Sequence, residues 1–196
     1  DVEKQHLDLV TLNAHKIHGP KGVGALFIRK GTKINPLIHG GGHEFGKRSG
    51  TENIPGIIGF AAAVKLANQK DVQRMTELRD KLIAGVLKIE GTQLNGPEKR
   101  LCNNTNFSFK SIEGEALGGY LDQKFICSST GSACSSKNLE PSHVLKAIGL
   151  KDEEAHGSLR LTLSKFTTEE EIDYVLEILP KYVAKLRSIS PLGRLT

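Results

Sequence analysis

Apolar residues recur along this chain at two periods, and the alternation between them sets out the elements. Leu7 to Leu12 is apolar and weakly alternating, which predicts a short buried strand. Val23 to Ile28 predicts a second strand, entered through the turn residues Gly19-Pro20-Lys21-Gly22. Ile34 to Ile38 predicts a third. His39 to Thr51 is Gly-rich, polar and irregular, and Gly56 to Asn68 follows as a mostly apolar helix. Composition shifts near Gln69. From Val72 to Ile89 the apolar positions Val72, Met75, Leu78, Leu82, Ile83 and Val86 fall at helical spacing. Asn103 to Phe109 and Phe125 to Ser128 read as strands, with a helix over Gly114 to Gln123 between them. Ser129 to Asn138 is a loop of small residues. Pro141 to Ile148 is a short helix with Pro in its first turn, and Leu159 to Leu163 is a strand.

The last helix carries the plainest signal. Thr168-Glu169-Glu170-Glu171 is a capping box with acids at the positive end of the helix dipole. Ile172, Val175, Leu176, Leu179, Val183 and Leu186 then form one apolar stripe, with Pro180 inside it as an expected kink. Strands alternating with helices give an α/β chain.

Composition narrows the class. With 38% hydrophobic and 25% charged residues in 196, the chain can build one or two cores. No apolar run approaches the ~20 residues of a membrane helix, and the first residues lack the apolar stretch of a secretory signal. The start also lacks Met and an opening turn, as expected of a chain cut from a longer protein. The formal charge of +5 is spread along the sequence and often mixed with Glu, and aromatics make up 5%. That pattern excludes nucleic acid as the expected partner; an acidic protein partner remains compatible with it. Cys102, Cys127 and Cys134 form neither a C-x-x-C pair nor a zinc pattern, so a reducing cytoplasm is expected. Cys127 lies in an apolar run and is expected to be buried and inert.

Two stretches carry candidate chemistry. Lys16 follows an apolar strand and precedes a Gly-Pro turn, a position where a group is held rigidly. A Schiff-base lysine must lose its proton, which burial or a nearby cation such as His15 or His18 promotes; an ordinary surface lysine at a turn would look the same. Gly41 to Lys47 approaches a P-loop, but Arg48 stands where Ser or Thr is required. His39 and His43 are separated by three glycines, against a helical metal pair. What remains is a loop whose backbone N–H groups, Arg48 and Thr51 hydroxyl could grip a phosphate, or a structural loop. Cys134 sits in Ser128-Ser129-Thr130-Gly131-Ser132-Ala133-Cys134-Ser135-Ser136, a small, polar run that should expose a nucleophilic thiol. Arg160, between Leu159 and Leu161, points to one sheet face and wants an anion. A bidentate carboxylate would suit it, and so would an Asp or Glu of this chain.

Several of these stretches together resemble cysteine desulfurases of the NifS/IscS class, in the class-V aminotransferase superfamily. They are Ala14-His15-Lys16-Ile17-His18-Gly19-Pro20-Lys21-Gly22, His39-Gly40-Gly41-Gly42-His43-Glu44, Arg48-Ser49-Gly50-Thr51, Ser129-Thr130-Gly131-Ser132-Ala133-Cys134 and Leu139-Glu140-Pro141-Ser142-His143. Their order and spacing match as well, from residue 1 to the Ser190-Pro191-Leu192 end, as the C-terminal half of such an enzyme. The resemblance implies a fold-type-I pyridoxal-phosphate enzyme acting as a homodimer. Residues 1–72 would be the end of the large cofactor domain, and residues 73–196 the small domain with the cysteine loop.

By the same resemblance Lys16 holds pyridoxal 5'-phosphate covalently and moves protons, and His15 lies against the pyridine ring. Thr51 reaches the phosphate of the partner subunit's cofactor, and Arg160 clamps the carboxylate of L-cysteine. Cys134 takes the substrate sulfur as a persulfide, releasing L-alanine, and passes it to an iron–sulfur scaffold protein or another acceptor. With the scaffold, Cys134 can share a transient [2Fe-2S] cluster. Asn13 stands where the family often has Ser as a phosphate contact. The Asp expected beside the pyridine nitrogen belongs to the part of the family that precedes this chain. A scaffold-docking fragment without catalysis and a selenocysteine lyase-like enzyme are the alternatives.

Overall fold

A computed structural model describes residues 1–130 and 141–190, which divide into two compact units, Asp1–Asn68 and Gln69–Thr196. In the first unit, β1 (Leu9–Asn13) pairs antiparallel with β2 (Gly24–Ile28), Asn13 opposite Gly24 and Leu9 opposite Ile28. Between them the chain makes one 3-10 turn, Ala14–Ile17. The turn α1 (His43–Gly46) is helical in name only, because Glu44 and Phe45 both have positive φ. Helix α2 (Ile54–Leu66) starts at Asn53, whose Oδ1 accepts from the Gly56 N–H. Its residues sit on the 3-10 turn: Ala14 is fully buried, and a Cβ at Gly19 would lie 3.2 Å from Ala63.

Two expectations for this unit are corrected. The first strand is not buried: Leu9 and Leu12 keep 47% and 50% of their surface. The expected third strand over residues 34–38 does not form. Pro36 has no N–H to give a ladder, and Leu37 stands 93% exposed. Ile57, Ile58, Val64 and Leu66 of α2 are also exposed, although a helix apolar on every side belongs inside a larger body.

The second unit has a core of its own. Helix α3 (Gln69–Val86) begins at the composition shift near Gln69, and β3 (Thr92–Leu94), which the periodicity does not reveal, follows it. Strand β4 (Asn104–Phe109) is central in a three-stranded antiparallel sheet of order β3-β4-β5, with β5 at Ser158–Thr162. Helices α4 (Gly114–Asp122), α5 (His143–Ala147) and α6 (Asp152–His156) lie between β4 and β5 in the chain, and α7 (Glu169–Ile189) closes it. Phe107, Phe109, Leu159 and Leu161 of the sheet meet Leu82 and Val86 of α3, Leu117 and Leu121 of α4, and Leu179 and Val183 of α7. The capping box forms as the sequence implies: Glu171 N–H donates to Thr168 Oγ1, and Thr168 N–H donates to Glu171 Oε2. The helix continues through Pro180 to Ile189.

Phe125 to Ser128 is not a strand. The chain leaves α4 through Phe125 in the left-handed region, φ 59°, with its N–H bonded to Asp122 O, which breaks the extended run. Among the described residues the strand pairing next to this segment is one bridge, Ser129 to Arg160. Cys127 is accordingly exposed rather than buried, and Cys102 is partly buried.

Close approach explains one glycine here. A Cβ at Gly114 would collide with the backbone carbonyl oxygen of Ser158, which cannot swing aside. Gly114→Ala should therefore destabilise the second unit by roughly 2 kcal/mol, as overpacking does, more than the helix propensity it gains. A lowered urea midpoint at unchanged slope would show this; an unchanged midpoint would mean the contact relaxes freely.

Candidate functional site

The candidate residues fall into two groups, one in each unit. In the first unit, Asn13, His15 and Lys16 are carried by the end of β1 and the 3-10 turn after it. The turn is fixed at both ends. Ala14 N–H donates to Val23 O, and Gly19 N–H donates to Ala14 O while His18 takes the left-handed conformation, φ 65°. Below it, a Cβ at Gly59 of α2 would come within 2.5 Å of the Pro20 ring. These contacts hold the backbone under Lys16 without using its side chain. Lys16 is exposed, and its Nζ makes no hydrogen bond or ion pair with another described residue. The acids of the hairpin are engaged elsewhere: Glu3 and Asp8 pair with Arg29 at 2.7 and 3.1 Å. That cluster lies at the far end of β1, about 15 Å away at the usual strand rise, and Glu3 above all raises the proton affinity of Arg29.

Residues 38–51 form a loop closed largely on itself. Ser49 is buried, its Oγ donates to Gly41 O at 2.6 Å and its N–H to Ile38 O. Arg48 Nη1 donates to Ser49 O at 2.8 Å, and Gly50 N–H donates to His43 Nδ1 at 3.4 Å. Gly40 and Gly50 take positive φ there. The glycines thus serve closure of the loop, and Thr51 is left exposed two residues before the Asn53 cap of α2. Among the described residues no group of three His, Cys, Asp or Glu could hold a metal ion.

In the second unit Arg160 lies on β5 opposite Asn106 of β4. Its backbone N–H and C=O exchange hydrogen bonds with Ser129, at 2.7 and 3.1 Å. They therefore face away from β4, and Asn106 and Arg160 form the close kind of cross-strand pair, in which side chains stand nearest. Leu159 and Leu161 enter the core, so Arg160 points to the opposite face of the sheet. No acid of the described residues pairs with its guanidinium, which answers the alternative of an internal salt bridge within those residues. Cys134 lies outside the described residues.

The residues present suit an aldehyde cofactor that carries a phosphate: a lysine on a rigid turn, without a partner among the described residues, with Asn13 at the end of the strand that leads to it and the hairpin acids Glu3 and Asp8 engaged by Arg29. None of the residues just described is an acid placed for a ring nitrogen.

Comparison with known proteins decides the family. The aminotransferase class-V model matches residues 1–175. The chain belongs to the class-V aminotransferase family. It is 53% identical over 99% of its length to cysteine desulfurase IscS 1 of Archaeoglobus fulgidus, and 53% identical over 98% to cysteine desulfurase IscS of Methanosarcina thermophila. It covers 52% and 48% of those proteins, so this class-V chain spans about half the length of the relatives it matches. A solved NifS-like protein superposes with a TM-score of 0.83 at 40% identity, over 95% of this chain and 49% of that one. The NifS-like protein of Rickettsia africae gives 0.84 at 30% identity, over 94% and 49%. The α/β fold is thus that of NifS-like proteins. No described helix is long and apolar enough to cross a membrane.

Asn106 and its neighbour Asn95 were missed by sequence reasoning. A signal was present: Asn104, Asn106 and Ser108 alternate with Thr105, Phe107 and Phe109, so one face of a central strand is polar throughout.

Proposed function

We propose that this chain forms part of a pyridoxal 5'-phosphate-dependent cysteine desulfurase, which converts L-cysteine to L-alanine and an enzyme-bound persulfide. The observation that carries the reading is 53% identity, over 99% of the chain, to a protein named as a cysteine desulfurase. The cofactor, when bound, supplies the electron sink that lets bonds at the substrate α- and β-carbons break.

The chain's own residues do the rest. Lys16 anchors the cofactor and then holds or returns the proton at the α-carbon, a general acid–base role worth roughly 10²–10⁴-fold. His15 would face the ring, and Asn13 and Thr51 would hold the phosphate, Thr51 across the interface of a homodimer. Arg160 takes the substrate carboxylate; its guanidinium on the polar sheet face, without an acidic partner among the described residues, supports this role. Cys134 attacks the substrate sulfur as thiolate. The carbon–sulfur bond breaks, the sulfur stays on Cys134 as S–SH, and the carbon gains a proton to become alanine.

Residues 1–72 belong to a large cofactor domain and residues 73–196 to a small domain. The exposed apolar side chains of α2 and β1 support a first unit that packs within a larger body. The persulfide sulfur goes to an iron–sulfur scaffold or another acceptor, with which Cys134 shares a transient [2Fe-2S] cluster, in a reducing cytoplasm where the persulfide survives.

The holoenzyme incubated with L-cysteine and a thiol reductant should release L-alanine and sulfide in equal amounts. Chromatography of the amino acids checks this, and a preparation that carries the cofactor yet forms no alanine would refute the reading.

A further inference from the structure

We propose that Asn106 is a second donor to the substrate anion, aimed by Asn95, and that Asn106 and Arg160 together form one donor-only seat for the carboxylate. The inference rests on the desulfurase reading and extends it to two residues with no role there.

The sheet register puts the parts in a row. Asn95 N–H donates to Asn106 O, which places Asn95 beside Asn106 on β4; Asn106 in turn faces Arg160 on β5. All three side chains stand on the face opposite the Phe107 and Leu159 core, since side chains alternate along a strand. Asn95 is 5% exposed and therefore has to place its amide. Its Nδ2 donates to Asn106 Oδ1 at 2.6 Å and to Ser108 Oγ at 2.8 Å. Asn106 thus has its oxygen occupied by Asn95, which leaves its NH₂ as the end of the planar amide free to serve the Arg160 neighbour. That NH₂ has no acceptor among the described residues, and the Arg160 guanidinium has none either.

Two groups that can only donate, side by side and unpaired, call for an acceptor with negative charge and two oxygens. A carboxylate meets that description. Asn106 would then decide which way the bound carboxylate is turned, and Asn95 would act as a positioning residue through it. Were Asn95 an acceptor at this point, the Asn106 amide would turn over and set its oxygen against the incoming anion.

The test uses the full-length holoenzyme and two substrates, L-cysteine and its methyl ester, in which the anion is masked. Asn106→Ala should raise KM for L-cysteine about tenfold, the scale of a hydrogen bond to a charged group. Asn106→Asp sets a carboxylate against Arg160 and should raise KM about a hundredfold. Asn95→Asp, which touches no substrate, should raise it about tenfold by reversing the Asn106 amide. In each, KM for L-cysteine should rise at least about fivefold more than KM for the ester, since the lost contact is to the anion. A merely structural role would move both substrates together.

Asn106→Ala reads the contact even where Asn106→Asp fails to fold, and thermal melting separates the two cases. The inference is overturned if folded Asn106→Ala leaves KM for L-cysteine unchanged, or if ester and acid weaken in parallel. Arg160→Ala distinguishes the levels. A raised KM there, with no response to Asn106→Ala, removes the second donor alone. An unchanged KM in Arg160→Ala removes the carboxylate site itself.

Discussion

Lys16→Ala in the full-length enzyme should lower desulfuration of L-cysteine by at least about a thousandfold, within the range that one acid–base group supplies, while leaving the fold intact. Structure and function separate cleanly at this residue. The turn beneath it is held by the buried Ala14, by the Gly19 N–H to Ala14 O bond and by the left-handed His18. Past its Cβ the Lys16 side chain is exposed and makes no bond to a described residue, so its removal should change stability by no more than about 0.5 kcal/mol. The measurement is threefold: turnover, the visible absorbance of the cofactor, and peptide mass after borohydride reduction. Wild type should yield one reduced adduct on the peptide that carries Lys16, and the variant none. A variant that retains turnover near wild type, or an adduct on another lysine, would sink the assignment. A variant that melts early would instead mean that the turn depends on the side chain, contrary to the hydrogen bonds just described.

How much of this was legible in the sequence follows from where the information is stored. Elements that bury an apolar face within the chain were readable: the α7 stripe from Ile172 to Leu186 and the strand at β4 both appear where the periodicity puts them. The capping box at Thr168 is a purely local signal and forms as written. The misreadings share one cause, which is apolar content without local pairing. Phe125 to Ser128 looks like a strand, but the left-handed Phe125 ends α4 and turns the chain out of register. Ile34 to Ile38 looks like a strand, but Pro36 denies it a ladder. Strand β3 escaped notice because three residues with one apolar side chain carry no period.

The site divides in the same way. Lys16 was found by its place after a strand and before Gly19-Pro20. The rigidity of that turn comes from Ala63 and Gly59, more than forty residues on, and only the structure shows it. Arg160 was found by alternation on β5. Whether an acid of this chain neutralises it depends on register across three strands, which no local pattern encodes; among the described residues the answer is that none does. Asn106 is the instructive omission. Asparagine is common in turns and weak in strands, so within the strand read over Asn103 to Phe109 nothing local marks Asn106 as a site residue. The register instead sets Asn106 in the middle strand, directly across from Arg160 of β5.

Cys134→Ala should give the complementary result to Lys16→Ala: no sulfur release from L-cysteine, with cofactor binding retained. A thiolate that accepts sulfur must leave and return a bond to sulfur, and alanine offers no lone pair for it, so the step is lost rather than slowed. On the proposed desulfurase reading the lysine, in contrast, serves the carbon side of the reaction. The two variants therefore differ in kind. Lys16→Ala should lack the cofactor absorbance and form neither product, whereas Cys134→Ala should keep that absorbance, still bind L-cysteine with a spectral change, and form no L-alanine from it. L-Selenocysteine sharpens the contrast, because a selenol leaves carbon more readily and at lower pH than a thiol. If Cys134→Ala still releases L-alanine from L-selenocysteine while failing with L-cysteine, the thiol is needed for sulfur transfer and not for cofactor chemistry. Wild-type rates with L-cysteine in the Cys134→Ala enzyme would remove Cys134 from the reaction, and would turn attention to Cys127, which is exposed on the segment that bridges to Arg160 through Ser129.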